Sequence, residues 1–384
     1  MYFEFATANR ILYGPGTSNE VGTIAVGLGR RAIVVIGKSN DRAQPLIDLL
    51  DQAGVACFTF NVSGEPTVEE AREGTQIART EKCELVIAIG GGSALDTGKA
   101  ISGLLTNGDD PLDFLEVIGR GKPLTQRAAP FIAIPTTAGT GSEVTRNAVL
   151  ASKEHRVKVS MRSHLLLPSL AIVDPDLTHS VPPSVTASTG LDALSQVIEP
   201  FLSHRANPLV DSVCREGMIR AERSLRRAYH DGNDATARQD MALVSLFGGL
   251  ALANAGLGAV HGFAGPFGGM FDAPHGATCA ALLPAVMEVN LRALKERDSD
   301  NPLLRRYDEI ATILTGREGA MAEEGTAWLE ALCEELKVPG LAEYGLTGED
   351  FPPLIEKASR SSSMKGNPIQ LAAHEMEEIL TKAM

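Results

Sequence analysis

No cysteine pair of the C-x-x-C kind occurs in this chain. Its five cysteines (Cys57, Cys83, Cys214, Cys279 and Cys333) are odd in number and scattered through 384 residues. That pattern argues against a disulfide framework and for free thiols in a reducing compartment, most simply the cytoplasm. Positive charge is also in short supply, with 35 Lys and Arg against 48 Asp and Glu and a net charge of -13. This balance argues against nucleic acid or an anionic membrane as the main partner, while leaving room for a local positive pocket. An unbroken membrane-spanning run is missing as well. The most apolar stretch, residues 241–270, is interrupted by Gly248, Gly249, Asn254, Gly256, Gly258, His261, Gly262 and Pro266. It reads as a buried Gly/Ala-rich helix followed by a loop. The first residues carry an acid, Glu4, and lack a basic region followed by an apolar core, so no signal peptide is expected.

What is present is the composition of an ordinary globule, 44% hydrophobic and 22% charged, at a length that suits two domains. Up to about residue 180, apolar strand-like runs alternate with helical patterns. Ala32 to Gly37, Ala56 to Phe60, Glu84 to Gly90, Phe131 to Pro135 and Ala171 to Pro175 read as strands, and Gln44 to Ala53 and Thr67 to Thr80 as helices. Such alternation predicts a parallel sheet covered by helices on both faces. After Pro182-Pro183, seven segments beginning with Ser184 to His204 show helical spacing and strand signals nearly vanish. The expectation is therefore an α/β domain over residues 1–180 and an all-helical domain over 181–384.

The richest motif is the run from Glu84 to Ile89 followed by Gly90-Gly91-Gly92-Ser93-Ala94-Leu95-Asp96-Thr97-Gly98-Lys99. A strand ends in three glycines, a serine follows in an N-cap position, and a helix begins. Glycines let backbone N–H groups approach phosphate oxygens, and a helix start offers unpaired donors and the positive end of its dipole. The spacing is not G-x-G-x-x-G, so the common dinucleotide fingerprint does not apply. A tight glycine turn would explain the run equally well, were it not for a second strand end. Phe131 to Pro135 runs into Thr136-Thr137-Ala138-Gly139-Thr140-Gly141-Ser142-Glu143, a loop dense in hydroxyls. Polar, open loops at adjacent strand ends mark the ligand edge of a parallel sheet.

Metal chemistry is suggested by Asp192 in the first helix of the second half and by His261 and His275, which flank a Gly/Pro-rich segment. One carboxylate and two imidazoles with an open position suit a catalytic Zn²⁺ or Fe²⁺. A helix-capping aspartate and two ordinary histidines are the plainer alternative. The other histidines (His155, His164, His179, His204, His230 and His374) fall in polar contexts and read as surface residues.

Taken together, the Gly90 to Asp96, Pro135 to Glu143, Gly190 to Leu194 and His261 to His275 segments resemble the iron-containing (group III) alcohol dehydrogenase family. The resemblance covers nearly the whole chain, from Gly14-Pro15-Gly16 to Gly366-Asn367-Pro368. It implies a dinucleotide-binding α/β domain and a helical metal-binding domain in a dehydroquinate synthase-like architecture, with the active site in the cleft between them and a homodimer as the assembly. It also implies that Gly91, Gly92, Ser93 and Asp96 contact the pyrophosphate and nicotinamide side of NAD(P), and that Thr136, Thr137 and Thr140 contact the cofactor from the second loop. Lys158 would reach the nicotinamide ribose. Asp192, His261 and His275 would be the catalytic metal ligands, and Asn147, Leu252, Leu257 and Ser363 would line the substrate pocket. Arg146, Arg360 and Lys365 lie close to that lining in sequence and read as solvated surface charge.

The departures from the family matter too. Its fourth ligand, a histidine four residues after the aspartate, is Gln196 here, and an amide oxygen is a poorer ligand for Fe²⁺ or Zn²⁺. A second histidine, four residues after His261, is Gly265, which removes a proton carrier and widens the pocket. An aspartate that accepts from the adenosine ribose is replaced by Gly37-Lys38-Ser39-Asn40. Without that carboxylate a 2′-phosphate should be tolerated. The reading is a metal-dependent NAD(P) oxidoreductase interconverting a small alcohol and its aldehyde or ketone. A metal-independent reductase of an oxo acid, resembling maleylacetate reductase, and a dehydroquinate synthase-like lyase are the alternatives.

Overall fold

The computed structural model describes residues 2–37, 40–108, 110–155 and 157–384, with the backbone alone described at Asn40. The chain forms two compact units. Ala6–Thr137 and Gly141–Ser180 make an α/β unit; Val181–Met384 makes a helical one, with which Ala138–Thr140 groups.

In the α/β unit the strands are β1 (Ile11–Tyr13), β2 (Arg31–Ile36), β3 (Ala56–Asn61), β4 (Leu85–Gly90), β5 (Phe131–Pro135), β6 (Asn147–Ser152), β7 (Val157–Arg162) and β8 (Leu170–Val173). Between them lie helices α1 (Val21–Ala25), α2 (Asn40–Gln52), α3 (Val68–Thr80) and α4 (Gly92–Asn107). Six strands form one parallel sheet in the order β1-β8-β5-β4-β2-β3. Alternation sorts the side chains onto two faces. Val34, Ile36, Ile87, Ile89, Ile132 and Ile134 pack with residues of α1 and α2, while Ile33, Val35, Val86, Ala88 and Phe131 pack with α3 and α4. Ile33, Val34, Val35, Val86 and Ile87 are wholly buried, each side chain contributing roughly 1.5–3 kcal/mol. α3 begins in a capping box, with Thr67 Oγ1 accepting from Glu70 N–H at 3.1 Å and Glu70 accepting from Thr67 N–H at 2.9 Å.

The chain leaves β2 toward β3 on one side and reaches β4 on the other, so the sheet's switch point lies between β2 and β4. Ligands of open α/β sheets bind beyond the carboxyl ends of the strands at such a point. Two features were not expected from the sequence. β1 is too short to carry a periodic signal. The antiparallel β6–β7 hairpin includes Ala148, Ala151 and Ser152, residues of little strand preference.

The helical unit contains α5 (Pro183–Leu202), α6 (Pro208–His230), α7 (Ala235–Ala255), α8 (Ala259–Met270), α9 (His275–Arg297), α10 (Leu304–Thr315), α11 (Ala322–Glu335), α12 (Phe351–Ser359) and α13 (Ala373–Lys382). One continuous core joins them. α8 corrects the loop expected after the Gly/Ala-rich helix. Gly262 serves close packing there, which overrides its poor helix propensity. A Cβ at Gly262 would lie 2.8 Å from Met364 Cε. α7 and α8 meet at 97°, and α9, apolar and long enough to span a bilayer, has 78% of its apolar window buried inside the structure.

Candidate functional site

At the switch point, the helix after β4 starts at Gly92 with Gly91 as its N-cap and no side-chain cap. The expected N-cap serine is thus corrected. Ser93 sits inside the first turn, because the third glycine already adopts helical geometry. The consequence favours an anion, since the first N–H groups of a 16-residue helix are left without a side-chain partner. Gly37, at the end of β2, lies against this turn, donating its N–H to Ile89 O at 3.2 Å. Thr136 N–H donates to Gly90 O at 2.9 Å, and a Cβ at Gly91 would come within 3.3 Å of Thr137 Oγ1. Gly37, Gly91, Gly92, Ser93, Thr136 and Thr137 therefore share one sheet edge. Lys38 and Ser39 lie outside the described residues.

Two expected cofactor contacts are engaged within the protein. Asp96 accepts from Ser142 Oγ at 2.5 Å and from Val149 N–H at 3.1 Å. Lys158, on β7, pairs with Glu65 at 3.1 Å. Thr140 groups with the helical unit. Nearby in sequence is a residue to which no role was given, Lys99. Its ammonium is wholly buried and donates to Ser142 O (2.8 Å), Ser142 Oγ (3.0 Å), Thr145 Oγ1 (2.9 Å) and Asn147 O (2.7 Å). Beside it, burial pushes the Glu143 carboxyl up to about 7, and Glu143 Oε1 has no hydrogen-bond partner.

In the helical unit Asp192, His261 and His275 converge. Asp192 Oδ1 is 3.3 Å from His261 Nε2 and 3.9 Å from His275 Nε2, yet it is buried and receives no hydrogen bond. Cys279, one turn after His275 on α9, places its sulfur 3.6 Å from His275 Nε2 and 3.8 Å from His261 Nε2. One ligand atom from each of the four residues lies within 4.8 Å of every other. Asp192, His261 and Cys279 are buried, and the His275 side chain is 33% exposed. Glu199 holds His261 from behind, its carboxylate accepting from Nδ1 at 2.6 Å and from Val260 N–H at 2.7 Å. A carboxylate only accepts, so the proton of a neutral His261 ring sits on Nδ1 and Nε2 turns a lone pair toward Asp192.

Burial alone would raise the Asp192 carboxyl, but His261 and His275 more than offset it and hold it below the usual range. Burial would likewise lower both imidazoles. Cys279 with Glu199 lifts His261 well above an ordinary histidine, and Cys279 with Asp192 brings His275 to about 9. An unpartnered buried carboxylate oxygen facing two imidazole nitrogens and a thiol is a donor set that fits a divalent cation.

Gln196 is buried, donates its Nε2–H to Gly139 O at 3.0 Å, and leaves Oε1 without a hydrogen bond. A Cβ at Gly265 would meet nothing within 4 Å, so the space left by the family histidine is open. The backbone of Leu257 lies against Gly366, where a Cβ would fall 2.1 Å from Leu257 O, and Ser363 precedes that glycine by three residues. Leu252 lies near the end of α7, and Asn147 opens β6 with its Oδ1 buried and unpartnered. Arg360 is exposed and pairs with Glu356, as a solvated surface charge does.

Glu199 and Cys279 escaped the sequence reading. Glu199 stands two turns after Asp192 on α5, and Cys279 one turn after His275, so helical spacing could have flagged both.

A glycine-rich strand–helix turn at a sheet edge and a carboxylate–imidazole cluster that fits a cation are features that a metal-dependent nicotinamide oxidoreductase requires. The comparisons make the class specific. Residues 8–175 match the model described as iron-containing alcohol dehydrogenase, and residues 186–384 its C-terminal counterpart, so the chain belongs to the iron-containing alcohol dehydrogenase family. It is 34% identical to the choline dehydrogenase of Bacillus subtilis (strain 168) over 96% of this chain and 91% of that one. The crystal structure of a 1,3-propanediol oxidoreductase superposes with a TM-score of 0.92 at 32% identity, covering 100% of both chains. Sulfoacetaldehyde reductase from Bifidobacterium kashiwanohense, in complex with NAD⁺, superposes at 0.86 with 31% identity, covering 100% of this chain and 99% of that one. The protein is thus an alcohol/aldehyde oxidoreductase using NAD(P) and a divalent metal.

Proposed function

We propose that Asp192, His261 and His275 hold the catalytic cation and that the chain interconverts a small alcohol and its aldehyde or ketone. The supporting observation is the buried, unpartnered Asp192 Oδ1 facing both Nε2 atoms. When bound, the cation supplies Lewis acidity toward an alcohol oxygen and the nicotinamide accepts the hydride. The chain's own residues orient and exclude. Glu199 fixes the His261 ring and tautomer. The uncapped α4 N-terminus and the backbone of Gly91 and Gly92 cradle the pyrophosphate, flanked by Ser93, Thr136 and Thr137. Asp96 braces the second loop through Ser142, while Thr140 and Lys158 complete the cofactor contacts. The same reading assigns Asn147, Leu252, Leu257 and Ser363 to substrate. Domains over residues 1–180 and 181–384, cytoplasmic residence and a homodimer belong to the same reading.

The test is metal dependence. His275→Ala should abolish aldehyde reduction while leaving circular dichroism and melting behaviour close to the parent. Full turnover by chelated protein with no detectable metal would instead support the metal-independent reductase.

A further inference from the structure

The geometry points to Cys279 as the fourth protein ligand of this cation, in place of the α5 histidine that is Gln196 here. This rests on the proposed Asp192/His261/His275 set. In a tetrahedral site with bonds of about 2.0–2.1 Å to nitrogen or oxygen and about 2.3 Å to sulfur, neighbouring ligand atoms stand roughly 3.3 Å (N to O) and 3.6 Å (N to S) apart. The structure has N···O separations of 3.3 and 3.9 Å and N···S separations of 3.6 and 3.8 Å. The two N···O distances are long for hydrogen bonds, the two N···S distances are within reach of a thiol–imidazole hydrogen bond, and all four suit the edges of a coordination polyhedron.

Three further observations converge. Cys279 is wholly buried, and its sulfur meets both imidazole nitrogens and lies beside the Asp192 carboxylate. Asp192 Oδ1, also buried, lacks the hydrogen bond that a buried carboxylate oxygen needs and faces the same nitrogens. Gln196 donates its amide N–H to Gly139 O and also leaves Oε1 unpartnered, but an amide oxygen is a poorer ligand than a thiolate for Zn²⁺ or Co²⁺. A thiolate with Asp192 supplies two negative charges to a dication, and its softness shifts preference from Fe²⁺ toward Zn²⁺ or Co²⁺.

The experiment titrates metal-free protein with Co²⁺ and records its absorption spectrum. One Co²⁺ per chain should bring a near-ultraviolet thiolate-to-cobalt charge-transfer band. Cys279→Ser should remove that band and weaken Co²⁺ binding by at least about tenfold. Cys279→His should bind Co²⁺ tightly without the band, which guards against misfolding as the explanation. Gln196→Ala should leave band and affinity unchanged. A site that loses Co²⁺ in Asp192→Ala yet shows no band, or whose band survives Cys279→Ser, overturns the assignment of Cys279 and leaves the three-residue site standing. Co²⁺ binding unaffected by Asp192→Ala overturns both.

Discussion

Two buried polar clusters, one in each unit, solve the same electrostatic problem in opposite ways. Around Lys99 the positive charge is built into the chain, and its ammonium donates to four acceptors between 2.7 and 3.0 Å. Around Asp192 the charge is left unbalanced by the chain, with a carboxylate, two imidazoles and a thiol gathered without saturating one another. Nitrogen, oxygen and sulfur stand 3.3 to 3.9 Å apart, and Asp192 Oδ1 is left unpaired. A saturated cluster holds a fold together, since buried polar groups that satisfy one another have nothing left for a ligand. An unsaturated cluster is poised for something from outside.

Removing the central charge of the Lys99 cluster should give the largest effect on stability. Lys99→Met strands the backbone and hydroxyl acceptors and removes the counter-charge 3.6 Å from Asp96, which keeps its bonds from Ser142 and Val149. The expected loss is roughly 3–5 kcal/mol in denaturant unfolding, the usual cost of breaking a buried pair. Metal content per folded chain should not change; if it falls too, the two clusters are coupled and the contrast fails.

Glu143 is the imperfect edge of the same cluster. Its folded value of about 7 lies above its ordinary 4.5. The folded state therefore binds the proton more tightly, and this contribution to stability is full below about pH 4.5 and lost as pH rises through about 7. Glu143→Gln should stabilise by up to about 3 kcal/mol near pH 8 and by almost nothing near pH 4. Melting curves at the two pH values decide this, and an equal shift at both would contradict it.

Smaller still is the effect expected behind the metal cluster. Glu199→Gln keeps a hydrogen-bonding group beside His261 but removes the carboxylate that fixes its tautomer, so metal affinity should fall by about 10–100-fold with the fold intact. Unchanged affinity in a metal titration would mean that the tautomer is held by something else.

The smallest predicted effect is on cofactor choice. A Cβ at Gly37 would make only ordinary contacts, 3.6 Å from Gly90 Cα, so Gly37→Asp fits. Its carboxylate should accept from the ribose hydroxyls and repel a 2′-phosphate, shifting kcat/KM toward NAD(H) by on the order of tenfold, or about 1.4 kcal/mol. NADP(H) should be accepted by the parent. A strong parental preference for NAD(H) would show that another group discriminates.

Much of this architecture is legible in the sequence because it is local. Runs such as Leu85 to Gly90 and the spacing in Pro208 to His230 match the strand and helix found there. What escaped is set by distant partners. Residues 259–270 read as a loop because of their glycines, and it is packing against the distant Met364 that makes Gly262 an asset. Lys99 closed the glycine motif without a role because its acceptors lie 43–48 residues further on. Cys279 counted merely as one free thiol among five, although its position one turn after His275 carried the information.

The contrast between the clusters is tested most directly by elemental analysis of the purified protein beside Asp192→Ala and Lys99→Met. One divalent ion per chain is expected in the parent and in Lys99→Met, and none in Asp192→Ala. Metal retained by Asp192→Ala, or none in the parent after reconstitution, would contradict the account.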